Sequence, residues 1–334
     1  MPVTLYFRFC VLKSGVELIF KNKLTMKGFN YFIKLTVSIL FLVIILITSL
    51  FLIAYTPISL QKTLTIKPIN NQELVIQKNR YEENINEFNV EHFISSIPYN
   101  STETTFSVLP KDRFEESIIN GNGNCSNLIF GAAYYFLENQ MDFYAIHLLP
   151  LDNFLDGYGH TVLYMNFRLN DSDIQEGIVD IFEASIPTVQ GLPIDIDELI
   201  TSRGNIELYT INSLNRERFN YFRQSYLEDK VLGSVNSEEI QRYFNFLENI
   251  YISLGNEELE KLVYDSLAII FGYFPNTIVT KTDFNQLFHG KWLIVTLAYG
   301  WLWSIRIVLL ITISYMIILP IIIFIQKGES VRNI

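Results

Sequence analysis

The chain has 334 residues, a formal net charge of −10 and 49% hydrophobic residues, enough for one or two domains plus membrane segments. The acidic balance argues against nucleic acid as a partner, because phosphate backbones select Lys/Arg-rich surfaces. The chain carries no P-loop, no dinucleotide fingerprint and no Cys/His cluster of ligand spacing, so neither a cofactor nor a metal is expected.

Residues 1–34 carry Arg8, Lys13, Lys21, Lys23, Lys27 and Lys34 against one acid, Glu17. Met26 is an alternative start to Met1, and the sequence leaves the two open. Residues 35–55 hold no charge. At about 1.5 Å per residue they span the roughly 30 Å hydrocarbon layer, which predicts a first transmembrane helix. Ala54-Tyr55-Thr56-Pro57 is a poor cleavage site, so an uncleaved anchor is expected rather than a signal peptide. Residues 56–79 are polar with short alternating stretches and read as an extended linker with a strand or two.

Residues 80–96 have apolar residues at mixed helical spacing and predict a helix, with His92 as a surface or satisfied histidine. Asn100-Ser101-Thr102 is formally a glycosylation sequon and reads as a plain polar loop. Residues 112–119 predict a short helix. The chain then turns through Gly121-Asn122-Gly123-Asn124, reaches Cys125, and enters an apolar run that predicts a helix to about Asn139. Gly131, Ala132 and Ala133 imply close packing there, as on a sheet. Residues 143–149 read as a strand.

Residues 160–168 read as the next strand. Alternation puts His160, Val162, Tyr164 and Asn166 on one face and Thr161, Leu163, Met165 and Phe167 on the other. Residues 177–183 read as a third strand, and a hairpin across the polar turn at 169–176 would bring His160 near Asp180. From 195 to 291 the pattern is largely helical, notably over 215–229, 237–252 and 257–270. Its aromatic residues, among them Phe219, Phe222 and Tyr226, read as core packing rather than as a sugar-binding face. Residues 307–325 form a second uncharged run, which predicts a transmembrane helix over 305–326 kinked at Pro320. Trp292, Trp301, Trp303 and Arg306 would lie at its interface.

Lys327 and Arg332 follow that run against Glu329, and every other acid except Glu17 lies between the two apolar segments. The positive-inside rule then predicts a two-pass protein of the plasma (inner) membrane, with both termini cytoplasmic and the main domain extracytoplasmic. Cys10 and Cys125 would lie on opposite sides of the bilayer and could not pair. Cys125 is therefore either a nucleophile or an inert thiol. A helix N-terminus favours thiolate and offers unpaired N–H groups to an oxyanion. With His160 as base and Asp180 as its orienting carboxylate, Cys125 completes a candidate catalytic set. His147 is the rival base.

Gly123-Asn124-Cys125-Ser126 opening a helix, Gly159-His160-Thr161 opening a strand and Val179-Asp180 in the next strand resemble the transglutaminase-like superfamily. Cys, His and Asp follow in the family's order, at spacings of 35 and then 20 residues. The resemblance covers roughly residues 80–185. It implies an α+β fold, a helix packed on an antiparallel sheet in a transglutaminase-like domain (80–194). A mostly helical extracytoplasmic extension (195–304) and a short cytoplasmic tail (327–334) would complete the chain. It also implies acyl transfer or hydrolysis at an amide through a Cys125 thioester, on a peptide or cell-envelope polymer. The alternative is an inactive relative serving as a binding or assembly module in envelope or surface-polysaccharide biogenesis.

Overall fold

The computed structural model describes residues 57–332 apart from 71–87, 104–106, 157–158, 170–172, 202–204 and 215, with scattered positions between 33 and 44. The expected first transmembrane helix and most of the segment 70–87 lie largely outside the described residues. The chain divides into two compact units: Thr56–Gly300, and Met1–Tyr55 with Trp301–Ile334.

The unit Thr56–Gly300 is α+β. Its elements are α1 (Pro57–Thr65), β1 (Ile66–Ile69), α2 (Val90–Ser95), α3 (Pro110–Phe114), α4 (Cys125–Glu138), β2 (Phe143–Pro150), β3 (His160–Arg168) and β4 (Ile174–Val179). There follow β5 (Ser185–Val189), β6 (Leu192–Pro193), α5 (Ile196–Thr201), β7 (Glu207–Thr210), α6 (Gln224–Leu227), β8 (Lys230–Asn236), α7 (Ser237–Ile250), α8 (Glu257–Phe271), β9 (Thr277–Thr280) and α9 (Lys281–Leu287). The last helix, α10, runs from Trp292 to Arg332 and continues through Pro320.

Six strands form one sheet in the order β1-β9-β8-β2-β3-β4. The strand alternation read from the sequence is the one observed. On one face Leu163, Met165 and Phe167 join Phe143, Ala145, Val179 and Val235 under Leu128, Ile129, Ala132 and Phe136 of α4. On the other, Val162 and Tyr164 pack with Ile146, Leu148 and Ile178 against Leu199, Phe222 and Leu227. Each fully buried Ile, Leu or Phe side chain contributes about 1.5–3 kcal/mol, so these two faces hold the sheet between its layers.

Asparagines start three of the longer helices. Asn124, Asn236 and Asn256 each accept the N–H of the residue three positions on, and α8 ends on the left-handed Gly272 (φ 78°). Gly131 sets the depth of α4 against the preceding segment. A Cβ there would stand 2.9 Å from that of Ser117 and 3.0 Å from the Arg113 carbonyl oxygen, so this small residue faces a helix rather than the sheet. That helix begins as α3 and continues as a π-helical turn over Glu115–Ile119.

Four expectations need correction. The sheet is mixed, not antiparallel throughout, because β1 runs parallel to β9. Residues 57–69 are not a linker: they form α1 and that edge strand. The region after 195 is mostly helical, as expected, but it is not an extension apart from the sheet. Its strand β8 lies between β9 and β2 in the main sheet, so residues 80–194 lack one of their own sheet neighbours. Within it, 215–229 contains only the four-residue helix α6. There the Asn220 side chain accepts the Phe222 N–H at 2.9 Å and turns the chain, a local bond that competes with helix. Nearer the hairpin, the strand expected over 177–183 ends at Val179, where Asp180 and Ser185 close a turn on each other.

α10 is the one helix among the described residues that is long and apolar enough to cross a membrane. Its stretch Trp292–Ile318 has 27 residues and a mean hydropathy of 1.9. It begins before the expected 305–326, with Trp303 exposed and the Arg306 guanidinium 5.5 Å from the Trp303 ring centroid.

Candidate active site

Cys125 is the first residue of α4, and the turn before it is fastened on both sides. The Gly123 N–H donates to the Ser101 carbonyl at 3.0 Å, and the Asn100 N–H donates to the Gly121 carbonyl at 2.9 Å. Asn124 and Asn127 cap the helix reciprocally: the Asn127 N–H donates to Asn124 Oδ1 at 3.1 Å and the Asn124 N–H to Asn127 Oδ1 at 3.2 Å. The Leu128 N–H is taken by the Asn124 carbonyl. Among the described residues the N–H groups of Cys125 and Ser126 have no such partner. They are the first-turn donors that a helix leaves open.

His160 opens β3 opposite Leu148 of β2. The residue before it must be small: a Cβ on Gly159 would stand 2.3 Å from the Leu148 carbonyl oxygen. Asp180 lies one residue beyond β4, where its backbone exchanges two hydrogen bonds with Ser185 at 2.9 and 3.0 Å. Both side chains are withdrawn from water, with relative exposures of 1% and 0%. His160 Nε2–H donates to Asp180 Oδ2 at 2.8 Å, while Oδ1 accepts the Glu183 N–H at 3.0 Å. Nε2 is thereby committed, and Nδ1 is buried with no hydrogen-bond partner of regular geometry. The remaining polar neighbour acting on the ring is the Cys125 thiol.

The electrostatics follow from this placement. Burial alone would drive the imidazole toward its neutral form. The Asp180 charge and hydrogen bond outweigh that, and Cys125 acts in the same direction, so the imidazolium is held above the usual 6.5. His147, the rival base, lies on the opposite face of the sheet, bonded to Thr161 Oγ1 at 3.0 Å. Burial pushes it down to about 4, and no carboxylate offsets that. The three residues picked from the sequence come together, and the rival stands apart.

Sequence reading missed the groups that surround the imidazole. The Tyr221 ring stacks on His160 at 3.6 Å between centroids and 8° between planes, and Phe182 meets it edge-on at 6.0 Å. A latch holds the loop that carries Tyr221. Glu183 is 1% exposed; it pairs with Arg216 at 3.2 Å and accepts the Phe219 N–H at 3.3 Å. Arg216 also donates to the Phe182 carbonyl at 2.9 Å and lies 4.0 Å over its ring. From the other side the Tyr99 hydroxyl donates to the Ile181 carbonyl at 2.5 Å. The one local signal for this loop was Asn220, whose turn breaks the helical spacing of the aromatic residues around it.

Chemically, the arrangement supplies a thiol at an open helix N-terminus, a base with its far nitrogen fixed by a carboxylate, and two unengaged N–H donors beside the thiol. Among the described residues no group of three or more His, Cys, Asp or Glu side chains is placed to hold a metal ion. Comparison with known protein families, with curated proteins and with solved structures finds no match to this chain.

Proposed function

We propose that this protein is a thiol acyltransferase or amidase of the transglutaminase-like type, with Cys125 as nucleophile, His160 as base and Asp180 as orienting group. The single observation that carries the reading is the buried His160–Asp180 bond, which leaves Nδ1 as the nitrogen for the thiol. In the forward step Cys125 Sγ attacks the carbonyl carbon of an amide. The thiol proton already rests on His160 Nδ1, so the S–C bond forms from the sulfur of that pair, and the C–N bond breaks as His160 delivers the proton to the departing amine. The N–H groups of Cys125 and Ser126 receive the oxyanion in between. A water or an amine then attacks the thioester carbon, gives its proton to His160, and releases Cys125 as the thiolate. Water gives hydrolysis and an amine gives transamidation.

We assign the protein to a bacterial-type inner membrane, with α10 as one span and the apolar run 35–55 as a second. The unit Thr56–Gly300 would then face outward, toward peptides or envelope polymers. The test of the chemistry is iodoacetamide labelling of Cys125 at neutral pH, followed by mass spectrometry, in the wild type and in His160→Ala. Fast labelling that falls to the rate of an ordinary thiol in the variant supports the reading. Slow labelling, unchanged by the substitution, removes it and leaves a binding or assembly module.

A further inference from the structure

The thiol has one strongly featured wall. From His160 the rings run outward without a gap: Tyr221 stacks on the imidazole, Phe219 lies 4.6 Å from Tyr221, and Tyr226 lies 5.2 Å from it, edge to face. Through the stack of Tyr221 on His160 the wall adjoins the imidazole beside the thiol, and burial raises both phenols, Tyr221 to about 12. Both rings are only partly covered. Each outer ring carries a cation. The Arg223 guanidinium lies 4.3 Å over Phe219, and the Lys230 ammonium lies 4.3 Å over Tyr226.

These two cations differ from their neighbour Arg216, whose charge is spent on Glu183. Among the described residues neither Arg223 nor Lys230 has a carboxylate within ion-pair distance. Ahead of them in the chain stands Arg218, whose Nη2 is buried and has no hydrogen-bond partner among the described residues. A buried guanidinium N–H without an acceptor is costly to keep unless something fills the place. The protein as a whole carries 35 acids against 25 bases, so a cationic rim beside the thiol runs against its overall charge.

We infer that the Phe219–Tyr221–Tyr226 wall with Arg223 and Lys230 is the acyl-donor subsite, and that it takes a peptide amide bearing a carboxylate close to the scissile bond. The rings receive the flat amide and its neighbouring apolar atoms, and the two cations receive the carboxylate. This inference rests on Cys125 being the nucleophile, and it adds the charge of the substrate.

Two small alkylating agents of nearly equal size separate the two ideas. Iodoacetate carries the carboxylate and iodoacetamide does not. The rate ratio of iodoacetate to iodoacetamide at Cys125, divided by the same ratio for glutathione, is expected to exceed one by about threefold, the effect of a partly exposed charge contact. In Arg223→Gln/Lys230→Gln it is expected to fall back toward the value set by the imidazolium alone, and to do so less steeply as salt is raised. A wild-type ratio of one overturns the inference. So does a raised ratio that the double variant leaves unchanged, because the preference then belongs to His160. If neither agent labels Cys125 faster than glutathione, the nucleophile assignment itself falls, and the subsite with it.

Discussion

His147 and His160 stand on adjacent strands, one register step apart, and face opposite sides of the same sheet. His160 is buried and His147 is half-buried, yet they shift in opposite directions. His147 meets only burial and the Thr161 hydroxyl, and it goes down to about 4. His160 is buried more completely but also meets the Asp180 carboxylate, and it goes up. Burial disfavours the charged form at both histidines, so it does not account for the difference. A counter-charge placed on the far nitrogen does, and here the chain supplies it with a turn that stops β4 at Val179 and folds Asp180 back on Ser185, which favours the protonated imidazole.

The sharpest way to break this contrast is Asp180→Asn. It keeps the shape and removes the charge, and it is expected to lower amide turnover on the order of 10³–10⁴-fold, measured as kcat. A fall of less than tenfold would make Asp180 a spectator. Tyr221→Leu comes next. Losing the ring that fixes the imidazole plane is expected to cost about 10–100-fold in kcat. Tyr221→Phe is expected to restore most of the rate, since the stack and not the hydroxyl is at issue. Equal losses in both variants would overturn the positioning role.

The other histidine gives a stability effect instead of a rate effect. A base held below its ordinary value binds its proton less well when folded, so the fold loses stability as pH drops from about 6.5 toward 4. Substituting His147→Gln is expected to remove about 2 kcal/mol of that acid-side loss. It should leave Cys125 labelling as it is, and urea denaturation at pH 4.5 and pH 7 reads the difference. The smallest expected effect lies on the alkaline side. A base held above its ordinary value stabilises fully below about 6.5, and the contribution disappears as pH climbs through the raised value. Wild type should therefore lose its stability advantage over Asp180→Asn between pH 7 and pH 10. A constant gap across that range would mean that the pair is held by geometry alone.

The site was legible in the sequence where local chemistry decides it. A Gly/Asn turn running into small and apolar residues identified Cys125 at a helix start. Strict alternation over 160–168 assigned His160 its face, and the hairpin length brought Asp180 into range. What was not legible depends on partners far along the chain. The sequence Lys230–Asn236 is short and mixed, and nothing local says that β2 is its neighbour. Residues 57–69 read as polar linker because β1 is an edge strand whose parallel partner lies some two hundred residues on. Tyr221 was hidden because aromatic residues at helical spacing suggested a helix, whereas tertiary contacts with His160 and the Glu183–Arg216 latch hold the loop out of one.

The placement of β8 and β9 has a consequence for how the protein is made. Residues 125–180 hold all three site groups, but β2 has an open edge until Lys230–Asn236 arrives, and β1 waits for Thr277–Thr280. On a ribosome adding about 5–20 residues per second, some 50 residues separate the last site group from the first of these strands. The interval is therefore a few seconds or more, with an apolar strand edge exposed. Contacts this distant in sequence also slow folding in free solution. The nascent chain thus carries all three site residues well before it carries the sheet that holds them, and its vulnerable period is set by topology rather than by the site.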